Sequence, residues 1–507
     1  MDTNYFDVVV YGSELTGLIA ASLLGRRGLR VLLCGHDQIP ATFQAGPYTL
    51  AREPGTLPPP DSEPVARVLR ELGHTQIVRR RAPQVQPSLQ FVFPGHRVEF
   101  SSGVDAVVTE LAREFPDDHT TIEPILTRLR ATSAILDPLL GSDMTLPPQG
   151  FWERRDVSRI LAQLPPPDAD LLAPLGPYHP IRAGIAALGA LASGFAPAEL
   201  GSLVQARAYD VARKGFHRLA SEADLCALFL DKISTFSGEI REHVIPTELV
   251  WRRGNLNGLR VRPRNETIGF GRLIWASSAA SLVALAGSES PRRLRETASS
   301  IRPACYRYSL CMLVRPEALP EGMGRRVIAV RDPAKPKLEE NAMSITVGLP
   351  PPRHPNRIPI WVECLVTASA SESLGYLSVV RARLREELMR LMPFYDQHLL
   401  VVASPHDGLP PELGPAARPD PSQTGRLPNL RPTPMAPALS CDLQRVLGLG
   451  GAAHATGFKN VYLASNENLP GLGREGQFVS AWGVSRLIAE PVHHKSGKKR
   501  EILIEEI

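Results

Sequence analysis

Few of the usual markers of chemistry occur in this chain of 507 residues. Its six cysteines, at 34, 226, 305, 311, 364 and 441, form no C-x-x-C pair. That excludes a zinc-type spacing and a disulfide framework, and reduced thiols in a cytoplasmic chain are the expectation. No G-x-S-x-G elbow, P-loop or H-E-x-x-H helix is present, so those nucleophile, phosphate-cradle and zincin chemistries have no foothold. No metal site and no catalytic proton-transfer group can be named. Aromatic residues make up only 6%, and 57 basic against 52 acidic residues leave a net charge of just +5. With no basic stripe interleaved with aromatics, nucleic acid is not an expected partner. The opening MDTNYFDVVV lacks the charged n-region and cleavage site of a secretory signal. The most lipid-like stretch, Ile181 to Ser193, is too short to span a bilayer and contains Arg182. It reads as a buried helix of small residues, with peripheral membrane contact as the most that it allows. No internal repeat is visible.

What is present fits a globular chain. Hydrophobic residues reach 43% and charged ones 21%, and the length suffices for two or three domains around a sizeable core. The 48 prolines gather in clusters such as Leu57-Pro58-Pro59-Pro60, Leu164-Pro165-Pro166-Pro167 and Leu349-Pro350-Pro351-Pro352, which punctuate and stiffen connections. The run at Lys495 to Arg500 reads as a solvated basic tail, with His493-His494 beside it. His74, His217 and His454 stand alone along the chain and read as packed or surface histidines.

The strongest local signal lies at the start. FDVVVY, residues 6–11, is a β-branched run suited to a strand buried on both faces. Gly12-Ser13-Glu14-Leu15-Thr16-Gly17 follows, then a helix LIAASLLGRRG, then a second apolar run from Leu29 to Leu33. Together they make a βαβ unit of about thirty residues, the context a dinucleotide fingerprint requires. The fingerprint is G-x-G-x-x-G, and Glu14 occupies its middle glycine. That glycine lets backbone touch a pyrophosphate. A carboxylate there adds bulk and charge, and two unit charges ~4 Å apart at an effective dielectric near 20 repel by about 4 kcal/mol. Further on, residues 61–73 read as a capped amphipathic helix and 89–99 as a hairpin around Pro94-Gly95. Residues 103–144 are helical in pattern, and YSLCMLV and PIWVECLV are strands.

Three segments in order resemble the FAD-dependent phytoene desaturase and amine oxidase superfamily, which also includes the Rab GDP-dissociation inhibitors. They are VVVYGSELTGLIAASLLGRRGLRVLL, then GFHRLASEADLCALFLDKISTFSGEIREHV with GLRVRPRNETIGFGRLIWAS, and finally NVYLASNENLPGLGREGQFVSAWGVSRLI. The resemblance covers roughly a third of the chain. It implies an α/β fold: a Rossmann-like (FAD/NAD(P)-binding), mostly parallel sheet with an inserted α+β substrate domain. The parts it implies are a Rossmann-like N-terminal part at 1–74, a largely helical insertion at 75–210 and the second Rossmann-like part at 211–300. A second substrate-domain segment at 301–430, the closing motif at 431–490 and the basic tail at 491–507 complete them.

Carried over residue by residue, the resemblance puts Gly12, Ser13, Glu14 and Gly17 at the cofactor turn. Cys34 stands where an acid would hold the ribose, with Asp37 three residues later. Val244 falls where a backbone amide would meet the adenine, with Pro246 close by. Asn466, after Ser465, stands where an aspartate would hold the ribityl chain. Gly471, Gly473, Glu475 and Gly476 form the loop opening the closing helix, with Glu475 read as a cap of that helix. Two readings stay open. One is an FAD-dependent oxidoreductase acting on a large apolar, isoprenoid-like substrate. The other is a flavin-free module binding an apolar small molecule, lipid or protein, as in the Rab GDP-dissociation inhibitors. Either way, an elongated apolar pocket is expected to reach Gly471-Leu472-Gly473.

Overall fold

The computed structural model describes residues 4–85, 88–101, 103–166, 169–252, 255–351, 353–417, 427–442 and 446–490. The basic run, His493-His494, Pro167 and Pro352 lie outside the described residues. The β-branched run forms the strand Tyr5–Tyr11, with Val8, Val9 and Val10 wholly buried. The strand pairs in parallel with Val31–Cys34 on one side and Glu266–Trp275 on the other. Val461–Leu463 lies parallel to Glu266–Trp275, and Glu239–Arg241 extends the far edge beside Val31–Cys34. The strands Ile245–Arg252 and Asn255–Arg262 add an antiparallel edge, completing a seven-stranded, mostly parallel sheet. The first two strands and the last one thus lie in a single sheet, with Glu266–Trp275 between Tyr5–Tyr11 and Val461–Leu463.

Helices cover this sheet because its central strands are apolar on both faces. Leu15–Arg26 is almost entirely buried, and it packs with Glu222–Thr235 and the closing helix Gly473–Ile488 over one face. The turn before Leu15–Arg26 must be very tight. Gly12 has φ +134°, and a Cβ there would lie 2.0 Å from the Ala276 carbonyl oxygen. A Cβ at Gly17 would lie 2.5 Å from Ala276 Cβ. Contacts that close cannot be relieved by a side-chain adjustment, so backbone packing alone demands both glycines.

The second sheet has nine strands. Its centre is the long strand Ile301–Val314 beside Ile358–Thr367, Ala342–Val347 and Arg326–Val330. The hairpin Leu89–Phe93 and His96–Phe100 closes one edge. The helix Leu374–Leu391 packs on one face through Leu377, Val380, Leu384 and Leu388. On the other face lies the small-residue helix Pro180–Ala192, whose Gly184 lets the Phe91 ring come within 2.7 Å of a notional Cβ. This is the buried helix expected at Ile181 to Ser193. The helical pattern over 103–144 is broken into Val104–Glu114, His119–Ala134 and Asp137–Gly141. No described helix is long and apolar enough to cross a membrane.

Candidate ligand cleft

The turn and the closing motif meet at Glu14. The residue caps the helix Leu15–Arg26 in an extended conformation, and its half-buried side chain reaches across the strand ends. There Asn466 N–H donates to Glu14 Oε2 at 2.5 Å. Burial pushes the Glu14 carboxyl up to about 8. The Asn466 amide opposes that rise and the neighbouring Glu467 adds to it. Glu467 accepts from Ala279 N–H at 2.8 Å, and its own burial raises it to about 7. Burial thus disfavours the charge on Glu14, and the side chain also occupies space at the turn and takes the Asn466 amide.

The other sequence-assigned positions are equally committed. Ser13 is half-buried beside Glu14. Cys34 ends its strand fully buried, with Sγ 3.8 Å from the Val10 carbonyl oxygen, and burial pushes the thiol up to about 12. Asp37 accepts from His243 N–H at 2.7 Å, although its Oδ1 is buried without a partner. Val244 packs in one apolar cluster with Tyr11, Cys34 and Trp275. The Tyr11 and Trp275 rings lie 4.5 Å apart. The Tyr11 ring also covers Gly35, coming within 2.5 Å of a notional Cβ. The Asn466 side chain accepts from Gln477.

The closing glycines answer to packing as well. A Cβ at Gly473, where φ is +51°, would meet the Ala192 carbonyl oxygen at 2.1 Å. One at Gly476 would meet the Leu469 carbonyl oxygen at 2.4 Å, and one at Gly471 would come within 2.8 Å of Leu449 Cα. Glu475 is the acidic residue in the first turn of the helix Gly473–Ile488, and its side chain accepts from Arg207 Nε at 2.8 Å and Nη2 at 2.7 Å, a buried pair across the cleft wall. The lone histidines are structural. His74 bonds the Leu228 carbonyl, His217 that of Ala82, and His454 those of Leu463 and Leu146.

Between these elements lies a cleft of about 330 Å³. It reaches Gly471, Leu472 and Gly473 as expected, with walls from residues 191–194, 207–216 and the second sheet. Its lining is mostly apolar, as expected, with charged groups set into it. Arg207, Arg307, Arg326, Glu53 and Glu363 face it beside apolar Phe216, Val211 and Leu439. The lining includes Glu14 but neither Cys34, Asp37 nor Val244. The polar groups come from alternate positions of otherwise apolar strands: Ser344 and Thr346 in AMSITV, and Glu363 in WVECLV. That period-two polarity was the available sequence signal for these residues.

No protein-family profile and no curated protein matches the chain. Solved structures do. Wild-type putrescine oxidase bound to putrescine aligns over 96% of this chain and 98% of its own, at 14% identity and TM-score 0.58. Cyclohexylamine oxidase from Brevibacterium oxydans aligns over 96% and 99%, at 12% identity and TM-score 0.53. An oxidoreductase from Methanosarcina mazei aligns over 95% and 99%, at 13% identity and TM-score 0.54. The chain thus shares the α/β fold of these oxidase structures, with a Rossmann-like, mostly parallel sheet joined to a second sheet. At these identities the likeness concerns the fold and not the activity.

Proposed function

We propose that this chain is a flavin-free ligand-binding module on a flavin-dependent oxidoreductase fold. The observation that carries this reading is the Glu14 carboxyl seated on the Asn466 N–H, across the turn where the resemblance puts the cofactor's phosphates. The residues present do not fit FAD. The Asn466 amide of the closing motif is taken by Glu14, and the strand-end position that would carry an acid holds the buried thiol of Cys34. Purified protein is expected to be colourless and to stay so after incubation with excess FAD. The two absorption bands of bound oxidised flavin would overturn the reading. They would favour the second one, an FAD-dependent oxidoreductase, which the fold and the cleft's reach to Gly473 support.

Variants at position 14 separate local from general loss. Glu14→Gly frees the Asn466 amide but leaves Val244 and Cys34 in place. FAD affinity, followed by flavin fluorescence, is expected to rise by less than about tenfold, or 1.4 kcal/mol. Glu14→Gln keeps the bulk and an acceptor oxygen for the Asn466 amide, so it should match wild type. A rise of about a thousandfold in Glu14→Gly would mean that only this one side chain keeps flavin out.

A further inference from the structure

The charged wall of the cleft contains a cation without a bonded anion. Arg326 is 9% exposed and lines the cleft, with its guanidinium 3.9 Å from the centre of the Phe216 ring. Its Nη1 is buried and has no hydrogen-bond partner. Behind it Arg218 is fully buried, with Nε and Nη2 also unpaired, and the two guanidinium groups raise each other's cost. Arg326 remains a cation at neutral pH, with burial lowering it only to about 10. Glu363 favours the charge through space and Arg307 opposes it. Arg307 is itself committed to the carbonyls of Leu191 and Ser193. A buried cation without direct bonds is costly, and an anion on its open side offsets that cost.

The neighbouring groups supply the rest of an anion site. Thr346 is the cross-strand partner of Arg326, and Ser344 lies two residues along on the same face. Both hydroxyls belong to residues lining the cleft. A guanidinium flanked by hydroxyls matches the planar, singly charged carboxylate. Glu363 is the cross-strand partner of Ser344, and burial raises its carboxyl toward the neutral form, so the site accommodates one negative charge on Arg326 more readily than the two of a phosphate dianion. The remaining wall beside Arg326 is apolar, through Phe216, Val211, Ala208 and Leu191. We infer that the cleft binds a small carboxylic acid with an apolar body, its carboxylate on Arg326, Thr346 and Ser344. This assignment rests on the reading of the cleft as a ligand site and names its ligand class.

The test uses the full chain, with sodium octanoate, 1-octanol and inorganic phosphate as probes, read by calorimetric titration and by thermal unfolding. Octanoate should bind saturably and raise the unfolding temperature, while octanol and phosphate should not. Arg326→Met should weaken octanoate by about tenfold or more, the scale of one charge-assisted bond. It should also keep or raise the ligand-free unfolding temperature, because it removes an unpaired buried charge. Thr346→Val should weaken octanoate in a fold that keeps Arg326, which covers the case of an Arg326 variant that does not fold. Absence of saturable octanoate binding, equal binding by Arg326→Met, or phosphate binding as tightly as octanoate would each overturn the assignment. The flavin spectrum is a separate readout. Yellow protein that binds octanoate through Arg326 removes the flavin-free reading alone. Colourless protein indifferent to octanoate removes the carboxylate site alone.

Discussion

Arg207→Met is expected to lower the free energy of unfolding by about 3–5 kcal/mol, the usual cost of breaking a buried ion pair from one side. The side chains of Arg207 and Glu475 are 4% and 2% exposed. The guanidinium spans both oxygens of Glu475, while its Nη1 reaches Asp137 at 2.6 Å and the Ser133 hydroxyl at 3.2 Å. Glu475 Oε1 also accepts from the Ser62 hydroxyl at 2.5 Å. Methionine fills similar space but leaves the carboxylate with one neutral donor in a dry environment. The urea midpoint and slope, measured together, check the size of the loss. The double variant Arg207→Met with Glu475→Leu should recover most of it, because it removes the stranded charge as well. A single-variant loss below about 1 kcal/mol, the scale of an exposed pair, would mean that water reaches this site.

Between pH 6.5 and 9 the protein is expected to lose stability, and Glu14→Gln should flatten that decline by about 2 kcal/mol. Glu14 is raised to about 8 in the folded chain, whereas an unfolded glutamate titrates near its ordinary value of about 4.3. The folded state therefore holds a proton that the unfolded state has released. The associated stability is fully present below the unfolded value and is lost as pH rises through the folded one. At pH 6.5 about 1.5 units of that difference remain, and each unit is worth about 1.4 kcal/mol. Glu467 and Glu222, each raised to about 7, add to the same decline. His406, lowered to about 4 by burial, acts with the opposite sign, chiefly below pH 6.5, which is why the alkaline window is the informative one. Thermal midpoints at several pH values for wild type and Glu14→Gln test this directly. Parallel curves would place Glu14 in contact with bulk water.

The first strand, its tight turn and its helix were legible because two constraints coincide there. The FDVVVY run must be buried on both faces, and Gly12 and Gly17 must admit Ala276. Val461–Leu463 was legible for the same reason, as a short apolar strand running into a glycine-rich loop. The second sheet was read only at YSLCMLV, PIWVECLV and the hairpin around Pro94-Gly95. RVIAV and AMSITV are shorter, and their side-chain pattern becomes meaningful only when cross-strand neighbours are known. The cleft was placed correctly, but the charged groups set into its mostly apolar lining were not foreseen. Arg326 and Glu363 are ordinary surface-type residues until the fold turns their strand faces inward. The partner of Glu475 was invisible, since Arg207 stands 268 positions away.

The link between Glu14 and Asn466 has a consequence for how such a chain matures. In a protein that needs a tightly held cofactor, the folded population grows with cofactor concentration, by RT ln(1 + [L]/Kd). Here two parts of the chain 452 positions apart are joined by a hydrogen bond supplied from within. Under the flavin-free reading, assembly of this sheet is independent of the cell's riboflavin economy. Soluble yield from a riboflavin-starved host should then equal that from a replete one.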